Sequence, residues 1–498
     1  MKSPVGDAAH CEEVAQKRVT KAINVISAIA EIPDAHCALH LLRYQAGRLN
    51  YLTRTTPASD IDRALEAFDV AVRAGYETIV GKPVPDKAFS QAVLPTRLGG
   101  LGLVAARANA DAAYCASRAA MRDKGRAIFP GSPGWGDAMS ENDPLQAAVS
   151  RINAKLSPDE AYVLPTDDDE ESLPVRQQSI VQKMAKSTWT NLQENGGRLD
   201  KARMQAYAAP GAGRWQGAIP SKTLDKHLTS SQLRIVTAVQ LGVDVFDDAH
   251  LCVMCGLCAD TKGIHSLSCT GGGDIVVRHN DVRDIVHHFA SRGGLRPQLE
   301  KAGLLHEPGI FLEMRRPADV LVEGLAQGSR GNSSMKFALD IKVINALGAA
   351  HLDDTAQGPL VAAEAYREKA LVTNQTAERC KAQGIVYEPL VFTCQGGCEK
   401  RAEGIISQIA DAIASAGDVE AATVKSDFLE QISACLARHT ARAISRRIPK
   451  KAKLACNALT RYLRDAGDTP EDEEMHEGLV PACGPAPAQD IRLSAATA

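Results

Sequence analysis

Residues 252–269 read Cys252-Val-Met-Cys255-Gly-Leu-Cys258-Ala-Asp-Thr-Lys-Gly-Ile-His265-Ser-Leu-Ser-Cys269. Few short segments constrain a chain more. Tetrahedral zinc takes two ligands from a tight turn and two from a returning segment. Cys252 and Cys255 supply a first pair, with Gly256 easing the turn, and His265 and Cys269 a second pair four residues apart. Thiolates with an imidazole suit zinc and leave no open coordination position. Cys258 is then spare, although Cys255 and Cys258 also make a C-x-x-C pair. The competing reading is a set of buried reduced cysteines.

Cysteines as a whole are too sparse, 13 in 498 residues, for a disulfide scaffold, so the cluster points to a reducing, intracellular compartment. Net charge is −3, so any basic surface has to be local. No uninterrupted apolar stretch is long enough to span a bilayer, and Met1–Lys17 lacks the apolar run of a secretory signal; neither membrane insertion nor secretion is expected.

Aromatic residues make up 4% of the chain and alanine-rich amphipathic stretches dominate, which predicts a mainly helical protein with local strands. Apolar periodicity predicts helices over Val19–Ile32, Ala38–Leu52 and Ile61–Ala74, within a helical region 12–125. Residues 126–175, with Pro130-Gly-Ser-Pro-Gly134 and the acidic run Asp167–Glu171, read as a flexible linker. A helical linker domain follows over 176–250, then the knuckle at 251–272. From 274 to 416 the pattern becomes a helix (Asn280–Arg292, capped by Asn280), strands at Leu295–Leu299, Pro317–Val322 and Lys336–Ile344, a helix near 359–382, a strand Ile385–Phe392 and a helix near 398–416. A basic helical tail (417–464) and a disordered acidic tail (465–498) complete it. The expected fold is α+β and multidomain: a helical N-terminal half, a small zinc knuckle, an α/β restriction-endonuclease-like core and a helical basic tail.

Within that core, Asp319 ends Arg316-Pro-Ala-Asp, while Asp340 and Lys342 stand two apart on one strand and so share a face. If the strands pair, the two carboxylates can chelate one Mg²⁺ or Mn²⁺ with a lysine beside them, the layout of a PD-(D/E)xK nuclease. Glu300 is the expected supporting carboxylate and Glu307 the weaker choice. Alone, D-x-K is a weak pattern; buried charges within apolar strands strengthen it, since leaving them unpaired is costly.

Arg278 and His279 are placed near a phosphate. Arg438, Arg442 and Arg446 fall on one helix face, and with Arg447, Lys450 and Lys451 form a basic stretch suited to phosphates or to nuclear import.

Four groups of motifs resemble the C-terminal half of a non-LTR retrotransposon reverse transcriptase polyprotein carrying a restriction-like endonuclease. The first is Leu41-Leu-Arg43 and Tyr51–Thr55 with Leu94-Pro-Thr-Arg-Leu-Gly-Gly-Leu-Gly-Leu103 and Ala112-Ala-Tyr114. The second is Gly211-Ala-Gly-Arg-Trp215, Ile219-Pro220 and Leu241-Gly242. The third is the cysteine cluster running into Arg278-His-Asn280. The fourth is Arg316-Pro-Ala-Asp319, Asp340-Ile-Lys342, Ala362-Ala-Glu364 through Lys369, Pro389-Leu-Val391 and Gly396-Gly397. The resemblance spans about residues 20–415. It implies a thumb-like helical region at 12–125, knuckle ligands Cys252, Cys255, His265 and Cys269, and a catalytic set Asp319, Asp340 and Lys342. It implies double-stranded DNA as the partner, with element RNA a second candidate. It also implies a nuclear or cytoplasmic setting and target-DNA nicking that exposes a 3′ end for priming. Asp247-Asp248 and Asp353-Asp354 lack the aromatic-Ala-Asp-Asp context of a polymerase palm, so no polymerase activity is expected. Thr393 and Cys394 stand where relatives often carry an acidic residue, which opens the alternative of an inactive nucleic-acid-binding remnant.

Overall fold

Asp7 accepts the His10 amide at 2.8 Å and so opens the first helix, α1 (Ala8–Ala30). The computed structural model describes residues 3–128, 143–163, 176–305, 316–325 and 335–449. Cys11, Ala15, Val19, Ala22, Ile26 and Ile29 recur at three- and four-residue spacing and form the buried stripe of α1. The helix expected over Ala38–Leu52 is two, α2 (Ala35–Arg43) and α3 (Asn50–Thr55), split by a 3-10 turn at Gln45–Leu49. Helix α4 (Asp62–Val80) packs along α1 and stops at left-handed Gly81. With α5 (Asp86–Ala92) and α6 (Ala106–Ile128) these helices enclose Leu42, Ile61, Phe68 and Tyr76.

The expected linker is only partly irregular. Asp143 caps α7 (Pro144–Asn153), whose Leu145, Ala148, Val149 and Ile152 bury against α6 and α8 (Gln177–Glu194). An apolar residue every third or fourth position outweighs the surrounding proline-rich composition. Both Pro130–Gly134 and Asp167–Glu171 lie outside the described residues.

After α9 (Arg198–Ala208), which buries Ala202 and Ala206 beside Ala346 and Leu347, α10 (Ser230–Leu241) packs into the N-terminal core through Leu233, Val236 and Leu241, joined there by Trp215 and Leu228. Here the resembling motifs meet. Gln240 Nε2 donates to the carbonyls of Gly99 and Gly100, and Arg43 donates to the Gln216 carbonyl. At Gly100 a Cβ would lie 2.0 Å from the Leu94 oxygen, so only glycine fits.

The knuckle is a short hairpin, β1 (His250–Leu251) with β2 (Cys258–Ala259), followed by α11 (Ile264–Ser268). Helix α12 (Asp274–Arg292) starts six residues earlier than expected, which places Asn280 inside it and not at its cap. Then come β3 (Gln298–Leu299), β4 (Val320–Glu323) and β5 (Lys336–Ile344), followed by α13 (Leu352–Gln357), α14 (Val361–Val372), α15 (Thr376–Ala382) and β6 (Ile385–Thr393). The single helix expected near 359–382 is broken between α14 and α15 at Asn374 and Gln375, both with positive φ. The sheet order is β3-β4-β5-β6, antiparallel except for the parallel β5/β6 pair. The parallel pairing needs the helical crossover between those strands.

Phe337, Leu339 and Ile341 of β5 face a core built with α12, α16 (Lys400–Ala416) and α17 (Ala421–Ser445). Far from being a surface tail, α17 is the central helix. It buries Phe428, Leu429, Ile432 and Leu436 in the sheet core, Ala434 and Ala437 in the N-terminal core, and Ala441 and Ile444 beside Val245 and Phe246. At roughly 1.5–3 kcal/mol for each large buried side chain, that burial outweighs whatever its arginines gain in solvent. The fold is mixed α and β, mostly helical with small sheets, and no described helix is long and apolar enough to cross a membrane.

Candidate metal and acidic sites

Cys252 N–H donates to the Leu257 carbonyl and Gly256 N–H to the Cys252 carbonyl, both at 2.8 Å, while Gly256 takes φ +74°. This turn holds Cys252 and Cys255 together. Opposite it, the Asp260 carboxylate accepts the amides of Lys262, Ile264 and His265 at 3.0, 3.0 and 2.7 Å, fixing the start of α11. One short helix therefore sets both His265 and Cys269, and the ligand atoms of Cys252, Cys255, His265 and Cys269 lie within 4.8 Å of one another. Cys252 and Cys269 sulfurs are 3.8 Å apart, and Cys255 Sγ is 3.3 Å from His265 Nε2. Exposed Cys258, on β2, is not in the group. The four residues form a Cys₃His group able to hold a metal ion and compatible with zinc.

The electrostatics agree with that fit. Burial lowers the pKa of His265, and the Arg447 charge lowers it further, keeping the imidazole neutral. Burial alone would raise the Cys269 thiol, but hydrogen bonding from Arg447 and from its sulfur neighbours pulls it below its ordinary value. Neutral imidazole and thiolate are the ligand forms. Arg447 is itself fully buried; it donates to Asp274 Oδ2 and to the Gly271 carbonyl, each at 2.7 Å.

The second constellation follows from strand register. Asp319 immediately precedes β4, whose Val320 pairs with Leu339, and its own N–H donates to the Leu339 carbonyl at 3.0 Å, which holds it at the end of the β4/β5 pair beside Asp340. Asp319 Oδ2 accepts the Ile341 amide at 2.7 Å, and its Oδ1 lies 3.4 Å from His279 Nε2. Asp340 Oδ1 is 2.8 Å from Lys342 Nζ, and Tyr387 Oη donates to Asp340 Oδ2 at 2.5 Å. Burial raises the Asp340 pKa against the pull of Lys342. In Asp319 burial is outweighed by His279 and the Ile341 amide, and the pKa falls. The two neighbouring carboxylates are thus shifted in opposite directions, Asp340 up and Asp319 down.

Tyr387 is a member that sequence reasoning misses. The signal available for it is alternation: Tyr387, Pro389 and Val391 share one face of β6, and Pro389 pairs with Asp340. Glu300 takes part differently from expectation. It follows β3 with φ +43°, is partly exposed, and its carboxylate is occupied by Arg283 and Arg316. Glu307 lies outside the described residues. Thr393 and Cys394 are buried; Thr393 Oγ1 accepts the Gly397 amide at 2.9 Å, in a tight turn against Pro210 and Gly211.

The expected phosphate-binding arginines divide. Arg278 is buried, donating to the Leu267 carbonyl, and Arg447 is buried as above, so neither faces solvent. Arg442 and Arg446 turn onto Asp274, at 3.3 and 2.7 Å, while keeping part of their surface exposed. Arg438 donates to the Asp225 carbonyl. A buried carboxylate attracts the guanidiniums that sequence spacing alone assigned to solvent. Lys450 and Lys451 lie outside the described residues.

Comparison with known proteins adds no relative: no protein-family model and no curated protein matches this chain.

Proposed function

We propose that the chain is a divalent-metal-dependent DNA endonuclease module of the kind that nicks target DNA for non-LTR retrotransposon insertion, without polymerase activity. One observation carries the reading: Asp319, immediately before β4, accepts the Ile341 amide of β5 at 2.7 Å and so lies beside Asp340, with Lys342 2.8 Å from Asp340 on the same face of β5. Two adjacent carboxylates and a lysine are the donor set that holds Mg²⁺ or Mn²⁺ at a scissile phosphate. When bound, the ion neutralises charge that develops on the phosphate oxygens. Asp319 and Asp340 would hold it; Lys342 places a fixed positive charge beside it, and Tyr387 orients Asp340 by its hydrogen bond. His279 stabilises the ionised form of Asp319.

Zinc in the Cys₃His group serves as a structural element of this module. Beside it, Arg442 and Arg446 share the carboxylate of Asp274 while staying partly exposed, and that surface positive charge suits the backbone of double-stranded DNA, or of element RNA. A nuclear or cytoplasmic setting follows from the reduced cysteines.

The test is nicking of supercoiled plasmid by the full chain with Mg²⁺, with Mn²⁺ and with chelator. Metal-dependent open-circle product that Asp340→Ala abolishes supports the assignment. Zinc-loaded protein that binds duplex DNA and never nicks it under either ion replaces it with the inactive binding remnant.

A further inference from the structure

Away from both sites, α12 and α17 bring a third set of donors together. Cys435 and His439 stand four apart on α17, one above the other on the same face, and Asp281 reaches them from α12. Their ligand atoms all lie within 4.8 Å of one another. His439 Nε2 is 2.7 Å from Asp281 Oδ2, while its Nδ1 is buried with no hydrogen-bond partner among the described residues.

We propose that Asp281, Cys435 and His439 form a second zinc site that ties α12 to α17. Geometry is the first argument. The donor atoms of buried Cys435 and His439 converge with that of Asp281, and His439 Nε2 lies 2.7 Å from Asp281 Oδ2, so an ion held among the three takes His439 through Nε2. Donor chemistry is the second: one thiolate, one imidazole and one carboxylate are the ligands of a borderline-soft divalent ion, and together with Zn²⁺ they are electrically neutral. The third is solvation. Burial lowers the His439 pKa, so the ring is neutral and ready to ligate, while Asp281 stays half-exposed and gives the ion a route in from solvent. Burial pushes the Cys435 thiol up to about 12 against the pull of the Arg438 guanidinium, so binding has to displace the Cys435 proton to solvent through the ion's own charge. Three protein donors leave one position for water, unlike the closed Cys₃His group.

This assignment is independent of nuclease activity. The full chain, loaded with excess zinc and exchanged into metal-free buffer, is expected to retain about two zinc ions by elemental analysis. Cys435→Ala should lose one with its circular dichroism unchanged. Asp281→Asn, on the exposed side and away from the core packing, should weaken that ion by at least about tenfold in chelator competition. Metal content that neither substitution changes overturns the proposal and leaves Asp281–His439 as an ion pair between helices. Retention of one ion by a Cys252→Ser chain, lost again on adding Cys435→Ala, separates this site from the knuckle.

Discussion

Arg447, near the end of the central helix, lies with its guanidinium fully buried 2.7 Å from Asp274, the first residue of α12, and the same guanidinium donates to the Gly271 carbonyl of the knuckle at 2.7 Å. One side chain thus joins the end of α17 to the start of another helix and to the knuckle. Removing one member of a buried pair strands the other's charge, at about 3–5 kcal/mol. Asp274→Asn is expected to lower stability by about that amount in urea denaturation and to speed zinc loss to a chelator. An unchanged denaturation midpoint would show that solvent reaches Arg447 more readily than its burial indicates.

The knuckle ligands are separable by substitution. Cys252→Ser and Cys269→Ser should each remove the knuckle's zinc, whereas Cys258→Ser, at an exposed position on β2, should retain it. Elemental analysis of the three purified variants decides this, and zinc lost from Cys258→Ser alone would require the other C-x-x-C pairing.

In the acidic site, Lys342→Ala should leave metal binding intact and slow nicking by ~100-fold, about 3 kcal/mol, as for other preorganised charges. Single-turnover nicking rates check it. A rate unchanged by Lys342→Ala removes the lysine from the mechanism even if Asp340→Ala is inactive.

His36 supplies a pH signature of the N-terminal core. Burial, and next the charge of His227, push its pKa down to about 4, and its Nδ1 accepts the Leu228 amide at 3.1 Å, which only an unprotonated nitrogen can do. The folded pKa lies below the unfolded value of about 6.5. Its contribution is therefore complete above about pH 6.5 and is lost as pH falls toward 4, roughly 3 kcal/mol in all. Stability measured across that range should fall less steeply for His36→Gln than for the native chain; parallel profiles would mean that His36 protonates freely in the fold.

Two glycines give opposite outcomes. Gly404, inside α16 with open space where a methyl group would project, should tolerate alanine with a gain of about 0.5–1 kcal/mol. Gly100→Ala has to move the Leu94 carbonyl and should cost more than about 2 kcal/mol. Thermal melts of both variants check the pair.

Local spacing carries a good deal of the site. Two-residue alternation places Asp340 and Lys342 on one face of β5, and the Cys/His spacing signals a metal group while leaving Cys258 in competition until the fold gathers Cys252, Cys255, His265 and Cys269. The strand pairing that brings Asp319, at the start of β4, beside Asp340 is legible only conditionally, because pairing depends on the turn between strands and on what covers each face. The arginines of α17 mislead for a related reason. Their i, i+4 spacing describes a helix face without saying what packs against it, and Asp274 lies more than 160 positions away in the chain. Tyr387 escapes because a tyrosine in an apolar strand is ordinary until its hydroxyl meets a buried carboxylate.

Because α17 contributes side chains to both large cores and follows every other described element in chain order, vectorial synthesis leaves each core with a missing wall until residues 424–444 emerge. Apolar surface of the N-terminal helices and of the sheet stays uncovered through most of translation. Transiently exposed apolar surface of that kind is prone to aggregate, and neither core can be completed before α17 has been made.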